Sequence, residues 1–221
     1  MANVEVCYAH LGLEESRSIT ATQLRGYLGY LFIADTEFHH HMDNPYHYPL
    51  IQYKKVETGP LIMGLGQYAD ILFKKVSGIE KIVMEDDGVS RPITSLQLKR
   101  NVVRIEKTGK EERYTFSSPW LALNKENFKR FLGVDHKEKD NLLKRILTGN
   151  ILSMLKGLGI FIDYHLEITT IRHTTPFLTH AHGNTFWAFK PEFTTNLILP
   201  RHIGLGKSVS KGFGTVDLMD N

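Results

Sequence analysis

The 221-residue chain has almost no cysteine, no block of like charge and no long uninterrupted apolar stretch. Its single cysteine, Cys7, excludes a disulfide framework within the chain and is typical of a protein in the reducing cytoplasm. The most apolar long stretch, residues 151–164, is interrupted by lysine, glycine and aspartate, so no segment is predicted to span a membrane. The N-terminus does not have the basic and apolar regions of a signal peptide. These absences predict a cytoplasmic protein with no membrane partner.

The net charge is also low, because 27 basic residues are nearly balanced by 24 acidic ones to give +3. Such a balance excludes a wholly basic coat for nucleic acid and favours a localised basic surface.

A glycine-rich segment, residues 204–214, is the most informative feature that the chain does have. It contains Gly-Leu-Gly, five residues, and then Gly-Phe-Gly. Glycine permits positive φ and close approach of a ligand to the backbone, and lysine and serine side chains suit phosphate. The segment therefore predicts a polyanion-binding loop, although a glycine-rich hairpin without a ligand stays open. The candidate binding residues are Gly204, Gly206, Lys207, Ser208, Ser210, Lys211, Gly212 and Gly214.

Two familiar phosphate motifs do not fit this segment. The P-loop requires glycine where the chain has Arg201, and the dinucleotide fingerprint requires glycine where it has Val209. Both motifs also precede a helix, whereas residues 215–221 leave room for one strand. The segment therefore predicts neither a mononucleotide site nor an NAD site.

Hydrophobic periodicity in residues 1–88 predicts the order β-α-β-β-α-β, which is that of a ferredoxin-like domain. A polar loop with three consecutive histidines follows its first helix, and the domain is expected to end near Asp86-Asp87-Gly88. Residues 89–221 are less regular, with a hairpin predicted around 107–110, then helices and further strands. The sequence thus predicts an α+β protein with tandem ferredoxin-like (RRM-like) domains, the second carrying the glycine-rich loop.

Two such halves, with the paired glycine motif ahead of the last strand, resemble the RAMP superfamily of CRISPR-associated proteins. Within it, the chain is similar to the repeat-processing endoribonucleases, which also have a helix like Leu24-Arg25-Gly26-Tyr27, histidines in the next loop and an aromatic-rich strand like residues 48–54. The resemblance implies metal-independent cleavage of precursor CRISPR RNA within its repeats to give guide RNAs. It implies no cofactor and no metal ion.

The three histidines His39, His40 and His41 match the chemistry of such a cleavage. A metal-free ribonuclease needs a group with a pKa near neutrality to take the proton of a ribose 2′-hydroxyl, and a second group to protonate the leaving oxygen. In an extended segment, His39 and His41 would project from one face and His40 from the other. The resemblance places the base in this loop, so His39 and His41 are the first candidates and His40 stays open.

Two further residues are candidates for the same site. Tyr48 could orient the scissile phosphate or donate a proton, and Lys54 could bind RNA and stabilise charge on the phosphate. The products would be a 5′-hydroxyl RNA and a 2′,3′-cyclic phosphate, and no metal is required because the nucleophile is already part of the substrate.

Two competing hypotheses remain at this point. A zinc site could be built from His39, His40, His41, His180 and His182, but no cysteine pair or His-Glu-x-x-His motif supports it. A non-catalytic RNA-binding subunit of a CRISPR effector complex would have the same folds and the same glycine loop. The partner expected in both CRISPR cases is repeat RNA, and the resemblance also allows other effector-complex proteins and a homodimer.

Overall fold

The computed structural model describes residues 2–14, 19–32, 47–83, 88–172, 175–181 and 183–219. The described residues of Asn3–Val103 and of Ser210–Gly212 form one compact unit, and those of Arg104–Val209 and Phe213–Asn221 form a second. Among the described residues, each unit contains an antiparallel sheet and two α-helices, which confirms the predicted α+β fold with tandem ferredoxin-like domains. Within the described residues, no helix has the length and apolar character needed to cross a membrane.

The first unit has a five-stranded sheet in the order β2-β3-β1-β5-β4, with β3 antiparallel to both β1 and β2. Its core lies between this sheet and the two helices, where Cys7, Leu24, Ile62 and Leu72 are buried. Burial raises the pKa of Cys7 to about 11, so its thiol is an inert core group. The elements are β1 (Ala2–Leu13), α1 (Ala21–Leu31), β2 (Ile51–Val56), β3 (Gly59–Leu65), α2 (Tyr68–Val76), β4 (Lys81–Val83) and β5 (Ser90–Ile105).

The first unit extends to Val103, past the boundary expected at residue 88. The reason is that β4 has only three residues and pairs with the start of β5, so the position beside β1 is occupied by β5. Arg100 of β5 is ion-paired there to Glu5 of β1 at 2.9 Å and to Asp70 of α2 at 3.1 Å.

The second unit has a five-stranded sheet in the order β11-β12-β6-β10-β7 and a separate β8–β9 hairpin. Its elements are β6 (Lys107–Phe116), α3 (Lys125–Leu132), α4 (His136–Gly157), β7 (Ile168–Arg172), β8 (Phe177–Ala181), β9 (Asn184–Ala188), β10 (Glu192–Leu197), β11 (Ile203–Gly204) and β12 (Thr215–Leu218). Because β5 and β6 belong to different sheets, the hairpin predicted around residues 107–110 is wrong.

The two units share one strand order, in which the second, third, first and last strands are neighbours. In the first unit this order is β2-β3-β1-β5, and in the second it is β7-β10-β6-β12. Helices connect the first and second strands in both units: α1 in the first, α3 and α4 in the second. Where the first unit has α2 before its last strands, the second has the glycine-rich loop, so this loop replaces a helix.

The starts of α1, α3 and α4 follow from local capping residues. Thr20 and Gln23 form a capping box at α1, in which the Thr20 hydroxyl accepts from the backbone N–H of Gln23 at 3.2 Å. Asn124 caps α3 and Asp135 caps α4, each by accepting a backbone N–H three residues later, at 2.7 and 2.9 Å. These caps fix where α1, α3 and α4 begin, whereas α2 begins after Gln67 without a side-chain cap.

Candidate functional site

Three of the four glycines of the 204–214 loop are required by its own folding. Gly204 lies in β11 opposite Thr215, whereas Gly206, Gly212 and Gly214 have φ values of +94°, +87° and +63°. A Cβ on Gly206 would lie 2.8 Å from Nε1 of Trp120, whose indole N–H donates to Oδ1 of Asn150 at 3.0 Å. Gly206, Gly212 and Gly214 are therefore explained by close packing and left-handed backbone, without reference to a ligand.

Between the glycine pairs, the polar side chains differ in their exposure. Lys207 is exposed, Ser208 is half-buried with a φ of +58°, and Ser210 is buried. A positive φ is uncommon for serine, so the backbone around Ser208 is held in a specific conformation. Lys207 is the cation of this loop that is most accessible to a ligand from solvent.

The three residues Ser210–Gly212 pack within the first unit. A Cβ on Gly212 would lie 2.6 Å from the Cβ of Ala21, the first residue of α1, and 3.3 Å from the carbonyl oxygen of Tyr53 in β2. Arg25 lies one turn after Ala21 on the same face of α1. The packing of Gly212 therefore brings Lys211 to the helix face that carries Arg25.

Lys211 and Arg25 influence each other electrostatically. Burial and the positive charge of Arg25 lower the pKa of Lys211, and burial lowers the pKa of Arg25. Beside them, burial raises the pKa of Tyr53, whose hydroxyl has no hydrogen-bond partner in the described part of the chain. Two half-buried cations on one surface repel each other, and an anion bound between them would relieve that repulsion. A phosphate group has the matching charge.

Tyr48 and Lys54 both belong to the first unit. Tyr48 lies shortly before β2, and Lys54 lies within it. Tyr48 is half-buried just before the strand, and its hydroxyl oxygen accepts a hydrogen bond from Nε2 of Gln52 at 2.8 Å. Lys54 has no exposed surface. A contact between Lys54 and RNA therefore stays a prediction, since a buried lysine would have to become accessible to reach a phosphate.

The three candidate catalytic histidines, His39, His40 and His41, lie outside the described residues. The described residues on either side are Phe32, at the C-terminal end of α1, and His47, next to Tyr48. His182 is also outside, and His180 is exposed in β8, with its Nδ1 3.2 Å from the hydroxyl of Thr185. No group of three His, Cys, Asp or Glu side chains within the described ranges could hold a metal ion.

The structure adds two residues that the sequence analysis did not select. Arg25 is the one charged residue of α1, the helix that precedes the histidine segment in the sequence, and sequence inspection could have used this signal. Gln52 lies between Ile51 and Tyr53 in β2, and nothing in the sequence of that strand marks it as a buried partner of Tyr48.

Comparison with protein families covers both halves of the chain. Residues 4–102 match the Cas6b N-terminal domain and residues 106–219 match the Cas6b C-terminal domain. The chain belongs to the Cas6b family. The two matched Cas6b domains meet between residues 102 and 106, where the structure also divides into its two units.

One curated protein and two crystal structures are similar over most of the chain. An uncharacterized protein of Methanocaldococcus jannaschii is 34% identical over 145 residues, which cover 66% of this chain and 86% of that protein. A crystal structure of Cas6b is 30% identical, with a TM-score of 0.86, and covers 99% of this chain and 100% of its own. A crystal structure of the CRISPR RNA processing endoribonuclease Cas6b is 28% identical, with a TM-score of 0.75 and the same coverage.

Proposed function

We propose that this protein is an endoribonuclease that cuts precursor CRISPR RNA within its repeats, by attack of a ribose 2′-hydroxyl on the adjacent phosphate and without a metal ion. The observation that carries the proposal is the structural likeness, over 99% of the chain, to a Cas6b described as a CRISPR RNA processing endoribonuclease. Membership of the Cas6b family across both units supports it.

The chemistry requires three groups. A base takes the proton of the 2′-hydroxyl, an acid protonates the leaving 5′-oxygen, and a cation or hydrogen-bond donor stabilises the charge that develops on the phosphorane. His39 and His41 are proposed as base and acid, with His40 as the alternative, and Tyr48 as a donor to the phosphate. The products are then a 5′-hydroxyl RNA and a 2′,3′-cyclic phosphate.

Arg25 and Lys211 are proposed to bind a phosphate of the repeat RNA. Their shared surface lies on the helix that precedes the histidine segment, so a phosphate held there would fix the strand relative to the first unit. Lys207 and Ser208 of the glycine-rich loop are proposed to contact further phosphates of the RNA backbone.

Replacing both Arg25 and Lys211 with glutamine should weaken repeat-RNA binding mainly at low salt. Each single-stranded phosphate that is no longer neutralised reduces the slope of log affinity against log salt by about 0.7, so loss of the one phosphate shared by Arg25 and Lys211 should reduce it by about 0.7. The slope is measured by titrating labelled RNA at several salt concentrations. Lys137→Gln, at an exposed position in α4, is the matched control and should leave the slope unchanged. An unchanged slope in a folded double variant would contradict the phosphate assignment.

The proposed activity is tested with the purified protein and a repeat RNA from its own genome, in buffer containing EDTA, beside an RNA of the same composition in scrambled order. Cleavage of the repeat at one position, with the scrambled RNA intact, is the expected result. Tight binding without cleavage would instead assign the chain as a non-catalytic RNA-binding subunit. Cleavage lost in EDTA and restored by zinc would assign a metal-dependent hydrolase. Other effector proteins and a second copy of the chain stay predicted partners.

A further inference from the structure

A primary amide is fully buried in β2, directly after the segment that carries Tyr48. Gln52 has no exposed surface and pairs with Met63 of β3. A buried amide is costly unless its hydrogen-bonding groups are paired. Nε2 of Gln52 lies 2.8 Å from the hydroxyl oxygen of Tyr48 and 2.9 Å from the carbonyl oxygen of Pro49. The amide nitrogen therefore uses its two N–H groups on two neighbouring residues.

The carbonyl of Pro49 fixes the direction of the bond to Tyr48. A carbonyl oxygen can only accept, so the amide atom that faces it must be the nitrogen and not the oxygen of Gln52. An amide nitrogen donates and does not accept, so its second N–H donates to the hydroxyl oxygen of Tyr48. The proton of that hydroxyl is consequently directed to an acceptor other than Gln52.

This arrangement makes Tyr48 a directed hydrogen-bond donor. Accepting a hydrogen bond from Gln52 polarises the O–H group and strengthens the bond that it donates in turn. Tyr48 is half-buried, so a substrate can reach it, and it lies close in sequence to the three candidate histidines. The hydrogen bond from buried Gln52 to the accessible phenol of Tyr48 is suited to positioning a reacting phosphate.

We propose that Gln52 is a positioning residue that holds the Tyr48 hydroxyl as a donor to the scissile phosphate of the RNA. The proposal rests on the proposed cleavage function and deepens it. It differs from a purely structural role, in which Gln52 would only anchor the segment before β2. A structural role would lower stability and RNA affinity, whereas a positioning role lowers the cleavage rate of RNA that is already bound.

The test compares Gln52→Met, Tyr48→Phe and the double variant of the full chain in single-turnover cleavage of repeat RNA at saturating protein. Methionine keeps the length of glutamine but has no N–H to donate. Each single variant should cleave about tenfold more slowly, and the double variant should be no slower than Tyr48→Phe, because both changes remove one function. RNA affinity should change by less than about twofold, as for the control Gln97→Met at an exposed position in β5.

A second variant keeps the proposal testable if Gln52→Met does not fold. In Gln52→Glu, the ionised carboxylate accepts the Tyr48 proton and withdraws it from the phosphate, whereas the protonated carboxyl can donate to Tyr48 as the amide does. The cleavage rate relative to the unaltered protein should therefore rise as the pH is lowered. A ratio that stays constant with pH would overturn the proposal.

The outcomes separate this inference from the proposed function. If the unaltered protein cleaves repeat RNA and Gln52→Met cleaves it at the normal rate, the positioning role alone is overturned. The same conclusion follows if the rate losses of the two single variants add up in the double variant. An unaltered protein that binds repeat RNA but never cleaves it would overturn both.

Discussion

The variant in which His39 and His41 are both replaced by alanine is expected to bind repeat RNA and to leave it uncut. Removing a general base or acid costs about 10²- to 10⁴-fold in rate, so losing both should reduce single-turnover cleavage by about 10⁴-fold or more. Affinity should be nearly unchanged, because the phosphate contacts proposed for Arg25, Lys211 and the glycine-rich loop remain in this variant. The two quantities are measured separately, by quenched time courses at saturating protein and by equilibrium titration.

The matched control for the histidine variant is His180→Ala. His180 is exposed in β8 of the second unit and is expected to have no role in cleavage, so its variant should cut at the normal rate. Single variants of His39, His40 and His41 then identify which of them transfers protons. A double variant that cleaves at the normal rate would remove His39 and His41 from the mechanism and leave His40 as the candidate. Loss of binding in parallel with cleavage would assign these residues to substrate recognition.

Gly214→Ala is expected to destabilise the second unit by about 3 kcal/mol, which combines left-handed strain with overpacking. The φ of Gly214 is +63°, and an added Cβ would overlap the carbonyl oxygen of Leu205. The backbone cannot easily move away, because Gly214 accepts from the N–H of Leu205 and donates to the carbonyl of Pro119, both at 2.8 Å. The free energy of unfolding is measured by chemical denaturation.

The matched control for this loop variant is Gly149→Ala, in the interior of α4. No other atom lies within 4 Å of a Cβ added there, and alanine favours the helix by up to about 1 kcal/mol over glycine. The two glycine-to-alanine changes should therefore have opposite signs. A neutral effect of Gly214→Ala would contradict the backbone path of the glycine-rich loop.

Elements with strong local signals could be predicted from the sequence. Hydrophobic spacing predicted the order β-α-β-β-α-β for residues 1–88, and the structure has α2, Tyr68–Val76, as the second helix of that order. The 204–214 segment was recognised as a loop from its glycines alone. The pairing of β5 could not be predicted in this way, because a turn-like stretch at residues 107–110 suggested a local hairpin. Long-range contacts decided it instead, including the ion pair between Arg100 and Glu5.

The sequence predicted which residues belong to the candidate site better than it predicted which of them lie next to one another. Lys211 was selected from the loop, but its proximity to Arg25 depends on Gly212 packing against Ala21, which no local pattern reveals. Alternation along β2 predicts one buried face and one exposed face. The structure buries Gln52, Tyr53 and Lys54 in succession, so burial of a lysine at this position was not visible in the sequence.

The central claim is that the RNA supplies its own nucleophile, and one substrate tests it directly. An end-labelled repeat RNA with a single 2′-deoxy nucleotide on the 5′ side of the cleaved bond is incubated with the protein in EDTA, beside the all-ribose RNA. The account predicts that the all-ribose RNA is cut at one position to give a 2′,3′-cyclic phosphate, and that the deoxy substrate is bound but stays intact. Cleavage of the deoxy substrate at the same position would contradict it.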